Sequence, residues 1–247
     1  MRRVLILAML CGFWLAACTS ASAPTQEPAD ATESPAESTE PPAPADSTTE
    51  TPAIGPAEEA VIKQLAENLG LEESEISLVS SETTEFSDAC LGITMEGVMC
   101  AQVITPGRII VLEANGIQYE YHTSEGGDRV QPASRGLVWK REGGIAGFCD
   151  ILTVFRSGEI FTTRCTAEAD GKMGSLASLL TAREIQQFNK WMTAFGETEL
   201  DASDPKGVAD RMVVTLELIG NGSEEPTEAE AQALFEFAQN LYQELTQ

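Results

Sequence analysis

Six cysteines and a single histidine, His122, are the side chains through which this 247-residue chain would do covalent, metal or imidazole chemistry. A hydrolytic triad or a histidine-based acid–base pair needs a histidine set between a nucleophile and an orienting group, and the single His122 sits beside no convincing nucleophile or orienting partner. No His-Glu-x-x-His zinc-protease pattern, no serine elbow and no phosphate loop ending in Gly-Lys-Ser/Thr occurs. Carboxylates are so abundant, at 39 Asp and Glu, that no pair stands out as an acid–base couple, and 6% aromatic residues give little surface for stacking a sugar. Asp201, Asp204 and Asp210 lack the alternating ligands and central glycine of a calcium loop. The expectation is a chain that is not an enzyme, holds no metal and takes no cofactor.

What the cysteines do depends on the compartment, and the N-terminus speaks to that. Arg2 and Arg3 precede an apolar stretch from Val4 to Leu15 that is too short to anchor stably across a bilayer, and Leu15-Ala16-Ala17-Cys18 follows. Small residues at 16 and 17 leave a peptidase room to reach the backbone before Cys18. The tetrapeptide resembles the lipobox of bacterial lipoproteins. That resemblance implies that residues 1–17 are a signal peptide, that Cys18 is lipidated as the mature N-terminus, and that the protein is exported and lipid-anchored in the cell envelope, outside the cytoplasm. Loss of Arg2 and Arg3 takes the basic count from 15 to 13 against 39 acids, a mature net charge of about −26. Such a charge repels nucleic acid and anionic headgroups, so no nucleic-acid partner is expected and attachment to the bilayer falls to the lipid on Cys18. One acyl chain binds only marginally, and a multiply acylated cysteine meets the need for more.

With Cys11 and Cys18 set aside, Cys90, Cys100, Cys149 and Cys165 remain. An even remainder in an exported chain points to two disulfides, for which three pairings exist, and spacing favours Cys90 with Cys100 and Cys149 with Cys165. A metal site is the rival, but no Cys-x-x-Cys or His-x-x-x-His spacing accompanies them.

The elements that must position these groups begin after a long polar segment. Residues 18–57 form a Pro-, Ser-, Thr- and Glu-rich linker. From Thr19 to Ala57 it holds eight of the twelve prolines, seven acids and no Lys or Arg, a composition that cannot bury a core. As an extended tether it would reach roughly 120 Å. A small α+β module is expected over 58–133. Val61, Ile62, Leu65 and Leu69 recur at helical spacing before Gly70, Ile76 to Val79 reads as a strand, and Asn115-Gly116 joins two strands as a two-residue hairpin turn. That turn sets Leu112 opposite Tyr119 and Ile110 opposite Tyr121 on an apolar face. Ile109 then falls opposite His122 and Val111 opposite Glu120, which places the histidine towards solvent.

A second α+β module is expected over 136–247, about 110 residues and enough for its own core. Arg156-Ser157-Gly158 joins two strands, and pairing Phe155 with Glu159 brings Cys149 opposite Cys165 and Asp150 opposite Arg164. Thr181-x-x-Glu184 is a capping box that opens a helix with Leu180 and Ile185 as a hydrophobic staple and Ile185, Phe188, Met192 and Phe195 as its buried face. Thr227-x-x-Glu230 opens another, with Leu234, Ala238, Leu241 and Leu245 facing inward. Met212, Val214, Leu216 and Leu218 alternate as a strand between them. The fold class is therefore α+β, two antiparallel sheets each packed with one or two helices.

Gly143-Gly144-Ile145-Ala146-Gly147 is the most unusual stretch of the folded part. It lacks the order of a dinucleotide turn and precedes strands, so it is either a glycine bend feeding the hairpin or a loop that lets another protein's backbone approach, with Ile145 as the apolar contact. Together with the helix from Leu180 to Phe195, the strand from Arg211 to Ile219 and the last acidic-apolar helix, Trp139 to Gln247 resembles the emfourin family, small bacterial inhibitors of thermolysin-type metalloproteases. The resemblance implies a protein-binding module that inhibits such a protease. It covers under half of the chain, and the cysteines at 149 and 165, the lipid anchor and the first module depart from it. Asp88-Ala89-Cys90-Leu91-Gly92, Cys100 to Gly107 and Tyr121-His122-Thr123 resemble a secreted bacterial module of no assigned function. The expected function is a membrane-anchored, non-enzymatic protein-binding lipoprotein, whose partner is an extracellular metalloprotease or another envelope protein. The alternative is an envelope scaffold or sensor that binds cell-wall or protein partners.

Overall fold

Alternation of apolar and polar residues builds two antiparallel sheets, and helical periodicity supplies the segments that cover them. The computed structural model describes residues 54–164 and 176–246, which belong to one compact unit. Residues 1–17, Cys18, most of the linker and Cys165 lie outside the described residues.

The first sheet has the order β1 (Ser77–Phe86), β2 (Thr105–Ala114), β3 (Ile117–Ser124), β4 (Val130–Pro132). Helix α1 (Pro56–Leu69) lies across it, with Val61, Ile62 and Leu65 packed on Ile110, Leu112, Tyr119 and Tyr121. The turn at Asn115-Gly116 sets the expected register, Leu112 with Tyr119 and Ile109 with His122. Strand β1 runs well past the expected Ile76 to Val79, because its later residues pair with β2 through backbone bonds and carry little apolar signal. Glu58, in the first turn of α1, is buried and accepts hydrogen bonds from Ser81 Oγ (2.5 Å), the Gly55 amide (3.0 Å) and Arg108 Nη1 (3.3 Å).

The second sheet is formed by β5 (Arg135–Gly143), β6 (Phe148–Phe155), β7 (Glu159–Arg164), β8 (Leu176–Leu179), β9 (Glu197–Asp201) and β10 (Met212–Ile219), in the order β8-β7-β6-β5-β10-β9. Helices α2 (Ala182–Ala194) and α3 (Glu228–Thr246) close one face. Trp139, Leu152, Val154, Leu216 and Leu218 meet Phe188, Met192, Leu234 and Leu241 there, each such buried side chain contributing on the order of 1.5–3 kcal/mol. The capping box at Thr181 and Glu184 forms as expected, with Thr181 N–H donating to Glu184 Oε2 at 2.7 Å. Strands β4, β5, β8 and β9 add to those expected from sequence. None of the described helices is long and apolar enough to cross a membrane.

The two sheets share contacts. Ile93 and Met95, from the segment between β1 and β2, pack with Phe155 and Phe161 on the face of the second sheet that the helices leave open. Glu159 at the start of β7 is 2% exposed. Its Oε1 accepts from Gln64 Nε2 (3.0 Å), Asn68 Nδ2 (2.7 Å) and the Tyr121 hydroxyl (3.2 Å), while Ser157 donates to Oε2.

Candidate functional site

The β5–β6 hairpin ends in the glycine-rich stretch. Gly143, Gly144 and Gly147 all have positive φ, at 97°, 69° and 63°. The Gly147 amide donates to the Gly144 carbonyl at 3.0 Å, and the Gly144 amide to the Arg211 carbonyl at 3.2 Å. A β-carbon at 143 would lie 2.4 Å from that Arg211 oxygen, so only glycine fits this close approach of two backbones. The stretch is thus the turn of the β5–β6 hairpin, which leads on into the β6–β7 hairpin expected from sequence, and it lifts an apolar side chain into solvent: Ile145 is 88% exposed and Ala146 is exposed beside it.

The base of this tip is braced. The Arg141 guanidinium lies 4.4 Å from the ring centre of Phe148 and 5.6 Å and 5.9 Å from those of Trp139 and Tyr242. Such cation–ring contacts contribute about 0.5–2 kcal/mol each. The same guanidinium donates to Asp150 Oδ2 through Nε (3.1 Å) and Nη2 (2.5 Å), and the Tyr242 hydroxyl donates to Asp150 Oδ1 at 2.7 Å. Burial, and then the bond to the Asp150 carboxylate, push the Tyr242 hydroxyl above its ordinary pKa. A groove of about 360 Å³ beside the tip is lined by Arg141, Gly147, Phe148, Asp150, Arg164 and Tyr242. Its groups could grip a partner's polar atoms, but among the described residues no nucleophile with an adjacent base stands there.

The remaining sequence candidates fall in separate places. Cys90 and Cys100 are disulfide-bonded, with Cα atoms 5.7 Å apart. Their sulfurs lie within a ligand-sized cluster with the Asp88 carboxylate, but in a disulfide neither is a thiolate available to a metal. Cys149 is disulfide-bonded. Cys165, its expected partner, lies outside the described residues. Asp150 stands opposite Arg164 as expected. Its carboxylate is ion-paired with Arg141 across the other neighbouring strand. Asp201 and Asp204 accept the amides of Ser203 and Met212 at 2.8 Å, the work of turn residues.

His122 departs from expectation. Its side chain is 12% exposed, with Nδ1 2.6 Å from the Leu91 carbonyl, Nε2 3.0 Å from Glu120 Oε1 and the ring 5.0 Å from that of Phe86. The register placed it on the correct face, but the disulfide-closed segment folds over that face and covers it. Sequence reasoning also missed the brace. Arg141 carries no motif, and its partners Asp150 and Tyr242 meet only when α3 docks on the sheet.

No curated protein and no solved structure matches the chain. Residues 58–132, from α1 through β4, match the family described as a domain of unknown function (DUF8738).

Proposed function

We propose that this chain is an exported lipoprotein, anchored through Cys18, that binds a protein with the β5–β6 hairpin and does no chemistry on it. The carrying observation is Ile145, exposed at 88% on a tip whose backbone is held by Arg211 and whose base is braced by Arg141, Asp150 and Tyr242. A large apolar side chain presented on a pre-ordered turn enters a partner's pocket with little ordering cost, and such central apolar anchors dominate binding energy. The resemblance of Trp139 to Gln247 to the emfourin family supports a thermolysin-type metalloprotease as the partner, inhibited by occlusion of its cleft.

The test titrates residues 49–247 into a panel of thermolysin-type proteases, the host's own included. Inhibition is expected, and Ile145→Asp should weaken it by about thirtyfold or more. An 88% exposed side chain does not hold the fold, so the melting temperature of that variant should stay unchanged. Absence of inhibition across the panel refutes the protease reading, and full activity of Ile145→Asp refutes the role of the tip. In cells, Cys18→Ser should move the folded protein from the membrane to the soluble fraction; retention at the membrane refutes the anchor. The alternative, an envelope scaffold or sensor, draws on a second exposed apolar run, Met99, Val103 and Ile104, beside the Cys90–Cys100 disulfide. Recovery of envelope components without a protease in a pull-down would favour it.

A further inference from the structure

Only one face of the second sheet is closed by helices. On β9, Leu200 packs into the helix-covered core, so Glu197, Glu199 and Asp201 lie on the opposite face. Register sets Glu199 directly opposite Glu217 of β10, and Glu217 opposite Val138 of β5. Towards β6 and β7 this face is covered by Ile93 and Met95. Towards β5, β10 and β9 it stays open as a groove of about 660 Å³ lined by Glu96, Val138, Lys140, Glu197, Glu199 and Glu217 among others. Like charges directly opposite each other destabilise an antiparallel pair. Lys140, the cation lining the groove, is already bound to Glu96 (2.5 Å) and Glu142 (3.1 Å).

Strand β9 is also an edge of the sheet. Beside it lies another groove, of about 490 Å³, lined by residues 196–200 and by residues 223–226, which add Glu224 and Glu225; Glu224 bridges Phe195 just before β9, and along β9 itself no further strand of the described residues pairs on that side. In an antiparallel ladder alternate residues direct their N–H and C=O groups away from the neighbouring strand, and at an edge those groups are a template for one more strand.

We propose that the β9 edge and the groove beside it take an extended basic segment of another protein as an added strand, with Lys or Arg at alternate positions reaching Glu197, Glu199 and Glu217. Charge selects this occupant. A second copy pairing through the same edge would set Glu197, Glu199 and Asp201 against their own counterparts. The chain's own segment from Thr19 to Ala57 carries seven acids and no Lys or Arg. Both are repelled. A basic strand instead relieves the opposition of Glu199 and Glu217, while its period of two keeps every cation on the acidic face and main-chain bonds hold its register. This surface does not involve Ile145, so it stands or falls independently of the hairpin reading.

The probe is a labelled synthetic peptide, Lys-Thr-Lys-Val-Lys-Thr-Lys, with Glu in place of Lys as its comparison. It is added to the mature chain from residue 18 carrying Cys18→Ser, and read by fluorescence anisotropy and amide hydrogen exchange. Saturable binding of the basic peptide alone is expected, with slowed exchange in residues 197–201. The triple variant E197Q/E199Q/E217Q should bind about tenfold more weakly. A control, E228Q/E236Q/E244Q on α3, removes the same charge from exposed positions elsewhere and should change binding by less than about twofold. Equal weakening by both triples, equal binding of the acidic peptide, or binding without protection in β9 overturns the proposal. The exchange measurement uses no substitution in the groove and decides the matter even where a variant is unstable.

Discussion

The chain has three tyrosines, and all of them hold their phenolic protons more tightly than free tyrosine. Burial pushes Tyr119 up to about 12, against the opposing pull of Arg156. Tyr121 is raised well above 10, by burial first and then by the charge of Glu159. Because each folded pKa lies above the unfolded one, the stability involved is complete below pH 10 and is lost as pH climbs from 10 towards 12. Ultraviolet absorbance of tyrosinate should therefore stay low past pH 10 and rise together with the loss of helical circular dichroism. Tyrosines that ionise near pH 10 in a chain with intact helices would contradict this. The hydrophobic alternation around Asn115-Gly116 foretold that Tyr119 and Tyr121 face the core. It did not foretell the acceptor of Tyr121, because Glu159 is 38 residues away.

At the scale of elements, the β5–β6 tip is where backbone geometry is tightest. Gly143→Ala adds a methyl 2.4 Å from the Arg211 carbonyl at a φ of 97°, and should cost about 1–3 kcal/mol. Gly147→Ala meets nothing within 4 Å, so only its φ of 63° opposes it, at about 1 kcal/mol. Urea unfolding of the two variants should rank them in that order, and equal costs would mean that the backbone at Arg211 yields freely. The glycines were conspicuous in sequence, but the reason for Gly143 was not, since Arg211, just before β10, arrives much later in the chain. Strand β9 escaped sequence reading for a related cause. Glu-Thr-Glu-Leu-Asp has one large apolar residue, and an edge strand with one polar face needs no more.

For the whole molecule, Glu159 is a buried polar tie between the two sheets. Removing its carboxylate in Glu159→Ala leaves the donors of Gln64, Asn68, Ser157 and Tyr121 without this acceptor in a buried site, at a cost of about 2–4 kcal/mol. Trp139 and Trp191 report on the second sheet, whereas far-ultraviolet circular dichroism reports on both. The two unfolding curves should coincide in the parent chain and separate in the variant, with the dichroism changing first. Coincident curves with an unmoved midpoint in Glu159→Ala would show that the remaining contacts, those of Ile93 and Met95 with Phe155 and Phe161 and the Lys140–Glu96 pair among them, hold the sheets together without it.

By itself the sequence determined what near neighbours decide: the hairpin registers around Asn115-Gly116 and Arg156-Ser157-Gly158, the cap at Thr181, the inward faces of the helices and the α+β class. Those features follow from periodicity and turn chemistry within a few residues. Only the tertiary structure decided that the Cys90–Cys100 segment covers His122, that Tyr242 reaches Asp150 from 92 residues away, and that Glu199 stands against Glu217 on an open face. Such contacts arise from docking between elements, where each partner's burial and charge depend on a surface that no local pattern encodes.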